Sequence, residues 1–80
     1  MRLDKYLKVS RLIKRRTVAN EACDAGRILV NDKPARASYE VKEGDELGIT
    51  LGARAVRVRV VSVQETVAKN DAALLYQMLE

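Results

Sequence analysis

From Leu47 to Val60 the chain places an apolar residue at nearly every second position. Leu47, Ile49 and Leu51 alternate with Gly48 and Thr50. The chain then turns through Gly52-Ala53-Arg54, and Val56, Val58 and Val60 alternate with Arg57 and Arg59. A period of two marks strands with one buried and one solvated face. Val61 and Val63 extend the apolar content, as expected after a bulge. A pair of strands alone is marginal in water and must bury its apolar face against other elements. With 80 residues there is room for one domain, spanning 1–80, so that cover comes from the same small core.

The first quarter of the chain supplies helical patterns. Over 2–9, Leu3, Tyr6 and Leu7 form one stripe and Arg2, Lys5 and Lys8 the opposite one. Asp4 stands four residues before Lys8, the spacing of a helical ion pair. Ser10 to Arg16 is a connection carrying Leu12 and Ile13. Thr17 is expected as the N-cap of a second helix, Val18 to about Ala25, with Asn20 at its third position. Val18, Ala22 and Ala25 share a face of small residues, and Gly26 suits a left-handed helix end. Arg27 to Val30 reads as a strand, Asn31-Asp32-Lys33 as a turn, and Pro34 as the start of an edge segment. Lys42-Glu43-Gly44-Asp45 is a second turn. Asn70 or Asp71 is expected to cap a last helix, Ala72–Leu79, with Ala72, Leu75 and Leu79 on one stripe.

Composition excludes several function classes. Hydrophobic residues make up 48% of the chain and charged residues 32%, a globular balance and not that of a disordered tail. One Cys leaves no intrachain disulfide, and the absence of His excludes a His-containing zinc site and Cys/His or Ser/His nucleophile pairs. No apolar run has the length of a membrane span and no leader pattern is visible, so a reducing, cytoplasmic location is expected. Glu40, Glu43, Asp45 and Glu46 read as turn chemistry and not a metal site. The spacing of Gly26, Gly44, Gly48 and Gly52 fits no nucleotide-binding loop. Cys23, in the small-residue helix, is expected to be buried and inert.

Charge is unevenly distributed. Residues 1–16 hold seven cations and one anion, a balance of +6, whereas the other 64 hold eight cations and ten anions, a balance of −2. Such asymmetry points to a polyanion, with a solvated basic helix face as the plain alternative. Lys14, Arg15 and Arg16 stack positive charge before the positive end of a helix. That arrangement is locally unfavourable until an anion such as phosphate binds there. Arg2, Lys5 and Arg11 are placed to converge on the same side. Lys33 at the turn is a further phosphate candidate, while Arg57 and Arg59 read as a solvated strand face. Tyr6 belongs to the core stripe, and Tyr39 and Tyr76 are open to either packing or exposure. Three Tyr without Phe or Trp make a broad stacking platform unavailable, so recognition rests on phosphate, sugar and RNA shape. A membrane surface is disfavoured because the apolar stripe of the first helix is needed for the core. A helix-turn-helix DNA reader is disfavoured because the second helix exposes acidic and small residues.

The strings Arg2-Leu3-Asp4-Lys5-Tyr6-Leu7, Arg11 to Thr17, Gly26 to Asn31 and Val41 to Leu47 together resemble the S4 RNA-binding domain, over about Arg2 to Ile49. The resemblance implies an α+β fold, two N-terminal helices packed on a small twisted, mainly antiparallel sheet, here with the short C-terminal helix at about 70–79. The whole chain is similar to stand-alone bacterial members that act in ribosome-associated quality control. These are relatives of a fifteen-kilodalton heat-shock protein that binds ribosomes. Such proteins bind large ribosomal subunits obstructed by peptidyl-tRNA, contact ribosomal RNA and tRNA, and stabilise the peptidyl-site tRNA. They thereby support C-terminal alanine tailing by the factor RqcH on the same subunit. The implied RNA-binding residues are Arg2, Lys5, Lys8, Arg11, Lys14, Arg15, Arg16, Thr17 and Lys33, with Asp4 orienting the basic side chains. No catalytic residue, cofactor, metal or membrane is implied, and the expected state is a monomer. The alternative within RNA binding is a general binder of structured RNA in ribosome assembly or heat-shock recycling. The turn carries Asp32 where the family often has Gly, and the long basic C-terminal extension of the heat-shock relative is absent.

Overall fold

A computed structural model of the chain describes residues 1–64 and 69–79. Helix α1 runs Leu3–Val9 and α2 runs Arg16–Asp24. They are followed by β1 (Ile28–Val30), β2 (Lys33–Pro34), β3 (Glu46–Leu51) and β4 (Arg54–Val60), then a 3-10 turn, Lys69–Leu75, and β5 (Tyr76–Leu79). The five strands form one antiparallel sheet in the order β2-β1-β3-β4-β5.

The stripe on α1 behaves as its spacing requires. Leu3, Tyr6 and Leu7 are fully buried and join Ala19, Ala22 and Cys23 of α2 in one core. Beneath them lie Ile28 and Val30 of β1, Leu47 and Ile49 of β3, and Val58 and Val60 of β4. The register sets Val30 beside Leu47 and Leu47 beside Val58, so the alternating apolar residues make a continuous face.

Seven residues of helix are too few to stand alone. Helix α1 is held at its start by segment 37–41. The amides of Leu3 and Asp4, orphans of the first turn, donate to the carbonyls of Tyr39 (2.8 Å) and Ala37 (3.2 Å). The Val41 amide donates to the Met1 carbonyl (2.9 Å), and the N-terminal ammonium pairs with the Glu40 carboxylate. From the middle of the helix Tyr6 donates its hydroxyl to the Leu75 carbonyl (2.7 Å).

Three local expectations are corrected. Thr17 is not the N-cap of α2. The helix begins at Arg16, its N-cap is Arg15 in extended conformation, and no side chain caps it. The start is fixed from outside the helix, by the Asp4 contacts set out below. The expected α-helix over Ala72–Leu79 is replaced by the 3-10 turn and β5, while capping by the Asn70 side chain falls outside what the structure describes. The stripe is partly right, since Ala72 and Leu75 are buried. However, β4 offers an open edge, and pairing of Tyr76–Leu79 with Arg57–Val60 satisfies the backbone there. Finally, β4 stops at Val60. Val61 is exposed, whereas Val63 packs half-buried against the core as expected, and the amides of Val61 and Ser62 both donate to the Leu75 carbonyl (2.8 and 3.1 Å).

Turn chemistry follows the sequence closely. Asn31 and Asp32 both have positive φ (52° and 70°), as a two-residue turn between β1 and β2 requires, so Asp32 takes the place Gly often fills. Helix α2 ends in a Schellman motif. The Gly26 amide donates to the Cys23 carbonyl (3.0 Å) and the Arg27 amide to the Ala22 carbonyl (2.9 Å), with Gly26 at φ 76°. An added Cβ at Gly26 meets no atom within 4 Å, so its penalty is purely conformational. Gly26→Ala is therefore expected to cost about 1 kcal/mol. Gly48→Ala meets only ordinary contact with Leu29 at 3.6 Å and is expected to stay within about 0.5 kcal/mol of the parent. Urea midpoints of the two variants check the contrast.

Candidate nucleic-acid interface

Asp4 lies in the first turn of α1 and is 2% exposed. A carboxylate this deep is tolerated only when its oxygens are fully engaged. Its Oδ1 accepts from the Lys5 amide (2.8 Å) and from Arg2 Nε (3.2 Å). Its Oδ2 accepts from Asn20 Nδ2 (3.2 Å) and Arg2 Nη2 (3.4 Å), and lies 3.5 Å from Arg16 Nε. Burial alone would raise the Asp4 pKa. The hydrogen bonds from Asn20, the Lys5 amide, Arg2 and Arg16 outweigh it and hold the carboxyl below its ordinary value. The expected Asp4–Lys8 pair is not formed, because the carboxylate turns inward between the two helices and Lys8 is left exposed.

One carboxylate thus holds the arginine before α1 and the first residue of α2. Both arginine side chains remain about half exposed, at 50% and 48%. Helix α2 has no acidic residue in its first turn and no side-chain cap. Asp4, from the other helix, supplies the negative charge that this end lacks. Arg16, Thr17, Asn20 and Glu21 line a shallow concavity over Asp4, with Thr17 exposed on its wall.

The expected binding residues do not form one cluster. Arg2 and Arg16 meet on Asp4. Arg11 lies away from the concavity over Asp4. Its backbone has positive φ (62°), and together with Lys14 it lines a groove against the end of the sheet. Lys33 opens β2, where it shares a concavity with Arg36 and Tyr39. Lys8 and Arg15 are exposed, and Lys5 is half-buried on α1.

Other groups settle into structural roles. Asp45 accepts from Asn31 Nδ2 (3.2 Å), the Tyr39 hydroxyl (3.0 Å) and the Lys42 amide (3.0 Å), tying the β1–β2 turn to the loop before β3. Glu46 pairs with Arg57 (3.2 Å) and Arg59 (3.3 Å), which agrees with a solvated outer strand face. Among the described residues no three acidic or Cys side chains form a metal-binding group. Cys23 is buried, and burial, with the nearby charges of Asp4 and Asp24, pushes its thiol up to about 11. Burial, assisted by Tyr76, also raises the Tyr6 hydroxyl, which stays a donor.

Sequence reasoning missed three polar residues near these places. Asn20 was legible only as a helix-start residue; its bond to Asp4 crosses between helices. Arg36 is exposed beside Lys33. Arg54 follows Gly52 in a turn pattern, yet it opens β4 and shares strand parity with Val56, and so faces the helix side.

The S4 domain family matches residues 1–47 of the chain. The RQC P-site tRNA stabilizing factor of Halalkalibacterium halodurans is 58% identical, over 98% of this chain and 89% of that protein. The protein of the same name from Bacillus subtilis is 52% identical, over 100% of this chain and 93% of its own length. The heat shock protein 15 homolog of Haemophilus influenzae is 28% identical across 100% of this chain and 62% of that one. Among solved structures, trimeric Vibrio cholerae heat shock protein 15 superposes with a TM-score of 0.91 at 24% identity, covering 99% of this chain and 81% of that one. The solution structure of the hypothetical protein HP1423 gives 0.83 at 29% identity, covering 100% and 98%. Among the described residues no helix is long and apolar enough to cross a membrane.

The depressed pKa of Asp4 has a definite sign. Its contribution to stability is complete above the unfolded carboxylate value, about 3.9, and is lost as pH falls through the lower folded value. Asp4→Asn should cost on the order of 2 kcal/mol at pH 7. The gap between variant and parent should close in acid. Thermal melts from neutral to strongly acidic pH test this, and a gap that stays constant would show that the Asp4 charge plays no part.

Proposed function

Because the chain belongs to the S4 domain family and, over nearly its whole length, to the family of RQC P-site tRNA stabilizing factors, we propose that it is a non-catalytic RNA-binding protein. In this reading it binds large ribosomal subunits obstructed by peptidyl-tRNA, contacts ribosomal RNA and tRNA, and steadies the tRNA in the peptidyl site. By doing so it supports alanine tailing of the stalled chain by RqcH. The protein acts in the cytoplasm.

The observation that supports this reading is the Asp4 hub with its two half-exposed arginines at an uncapped helix start. Guanidinium groups held in place bind phosphate without losing much side-chain freedom, and free helix amides favour the same ligand. Arg2 and Arg16 form the primary contact. Lys5, Lys8, Arg15 and Thr17 add phosphate contacts around it, Arg11, Lys14 and Lys33 add phosphate contacts elsewhere on the surface, and Asp4 orients the arginines. The outward positions of α2, Val18, Glu21 and Asp24, suit a duplex major groove poorly.

The test is co-sedimentation of the tagged protein with large subunits carrying peptidyl-tRNA. The parent should migrate with the subunit, whereas Arg2→Ala and Arg16→Ala should remain at the top of the gradient. Each arginine is a partner of the buried Asp4 carboxylate, so each variant should also lose about 1–3 kcal/mol of stability, and binding is compared at a temperature where circular dichroism shows both variants folded. Subunit binding retained in both variants would overturn the reading. Affinity for isolated tRNA should also fall with salt, by roughly 0.7–0.9 log units per log unit for each phosphate engaged. The slope should become shallower in Arg16→Ala.

A further inference from the structure

The register places Arg54 opposite Leu51 and Val56 opposite Ile49, on the face that buries Leu47, Val58 and Val60 beneath the helices. Met78 of β5 pairs with Val58 and belongs to the same face, yet it is 60% exposed. The helices do not cover this end of the sheet. The opening is a groove of about 410 Å³, within the size range of small-ligand sites. Its floor includes Leu51, Tyr76 and Met78, and its rim is Arg11, Lys14 and Arg54. None of the described residues lining it is acidic, and none of the three rim cations has an ion-pair partner among the described residues.

We infer that this groove takes one unstacked nucleobase of the bound RNA, with the phosphates on either side held by Arg11, Lys14 and Arg54. The inference rests on the RNA-binding reading and adds to it a second contact, separate from the Asp4 hub. An apolar floor with one aromatic ring inside a cationic rim matches the chemistry of a nucleotide, a flat base carried on anionic links. A single tyrosine provides one stacking surface, and thus a place for one base. Recognition of RNA commonly uses such bases, because loops and strand ends present them already unstacked. Arg54 and Met78 reach outward from the sheet, so neither is needed to fill the core.

The test uses the full chain and a short single-stranded ribo-oligonucleotide carrying one 2-aminopurine. Binding should quench its fluorescence as the base enters the groove. Met78→Glu and Arg54→Glu should remove the quench and weaken binding about fivefold or more, with the circular dichroism melt preserved. Gln77→Glu, the same charge change as Met78→Glu but on the opposite face, should leave the quench intact. Equal loss in Gln77→Glu and Met78→Glu would reduce the effect to general electrostatics and overturn the site. An unaltered quench in Met78→Glu and Arg54→Glu would overturn it as well. So would competition for the groove by an acidic peptide that leaves RNA affinity unchanged. A parallel measurement of tRNA affinity in Arg16→Ala separates the two levels. A loss there with silent groove variants leaves RNA binding standing and removes only the groove.

Discussion

The arrangement of this protein depends on one buried carboxylate. Asp4 is almost inaccessible, and an ionised group so placed would be strongly destabilising without partners. It has a backbone amide, a side-chain amide and two guanidiniums within reach. These come from α1 and α2 alike, so satisfying the charge fixes the two helix starts relative to each other. The same contacts solve a second problem. Helix α2 begins with a cation and lacks both an acidic first turn and a cap. A carboxylate borrowed from the neighbouring helix offsets that positive end without occupying its outward side. Arg2 and Arg16 are left oriented but half exposed, which lowers the entropy lost when an anion binds.

Asp45 shows that burial of a carboxylate does not by itself make a binding site. Its partners are an amide side chain, a phenol and a backbone N–H. All are neutral, and none is a cation presented to solvent. Asp45 therefore organises backbone, joining the turn after β1 to the loop before β3, whereas Asp4 organises positive charge. The difference lies in the partners each residue meets, and those are set by the fold.

Much of this was legible from residue order. The alternation in β3 and β4, the stripe on α1 and Gly26 as a helix end follow from local rules and are present, and the turn read over Asn31-Asp32-Lys33 is present as Asn31-Asp32, with Lys33 opening β2. The family resemblance carried the arrangement of helices on an antiparallel sheet and the pairing of Asp4 with basic residues. What failed were inferences that treated a segment as if it were alone. Lys8 is the helical neighbour of Asp4, but the partners across the helix interface took the carboxylate. Thr17 has the chemistry of an N-cap, but the start of α2 is positioned by Arg16 on Asp4. Ala72 to Leu79 has a helical stripe, but the edge of β4 and the Tyr6 hydroxyl decide its backbone. In each case a contact distant in sequence overrode a local preference of comparable size.

Net charge alone understates how local the positive potential is. On the outer face of the sheet Arg57 and Arg59 stand beside Glu46, and Arg57 also lies 3.8 Å from Asp32, so that face is close to neutral. On the helix side the cations of the first sixteen residues outnumber their one anion, and that anion is buried beneath two of them. A polyanion approaching the molecule therefore meets Arg2 and Arg16 at the helix starts, and Arg11, Lys14 and Arg54 at the groove on the end of the sheet. Because exposed charges are screened within about 8–10 Å at physiological salt, the orientation of the complex is decided by these neighbouring groups and not by the overall balance of +4. The fold makes a modest excess of charge local by burying Asp4 beneath Arg2 and Arg16 and by pairing Glu46 with Arg57 and Arg59 on the other face, while Glu21 and Asp24 stay exposed on α2.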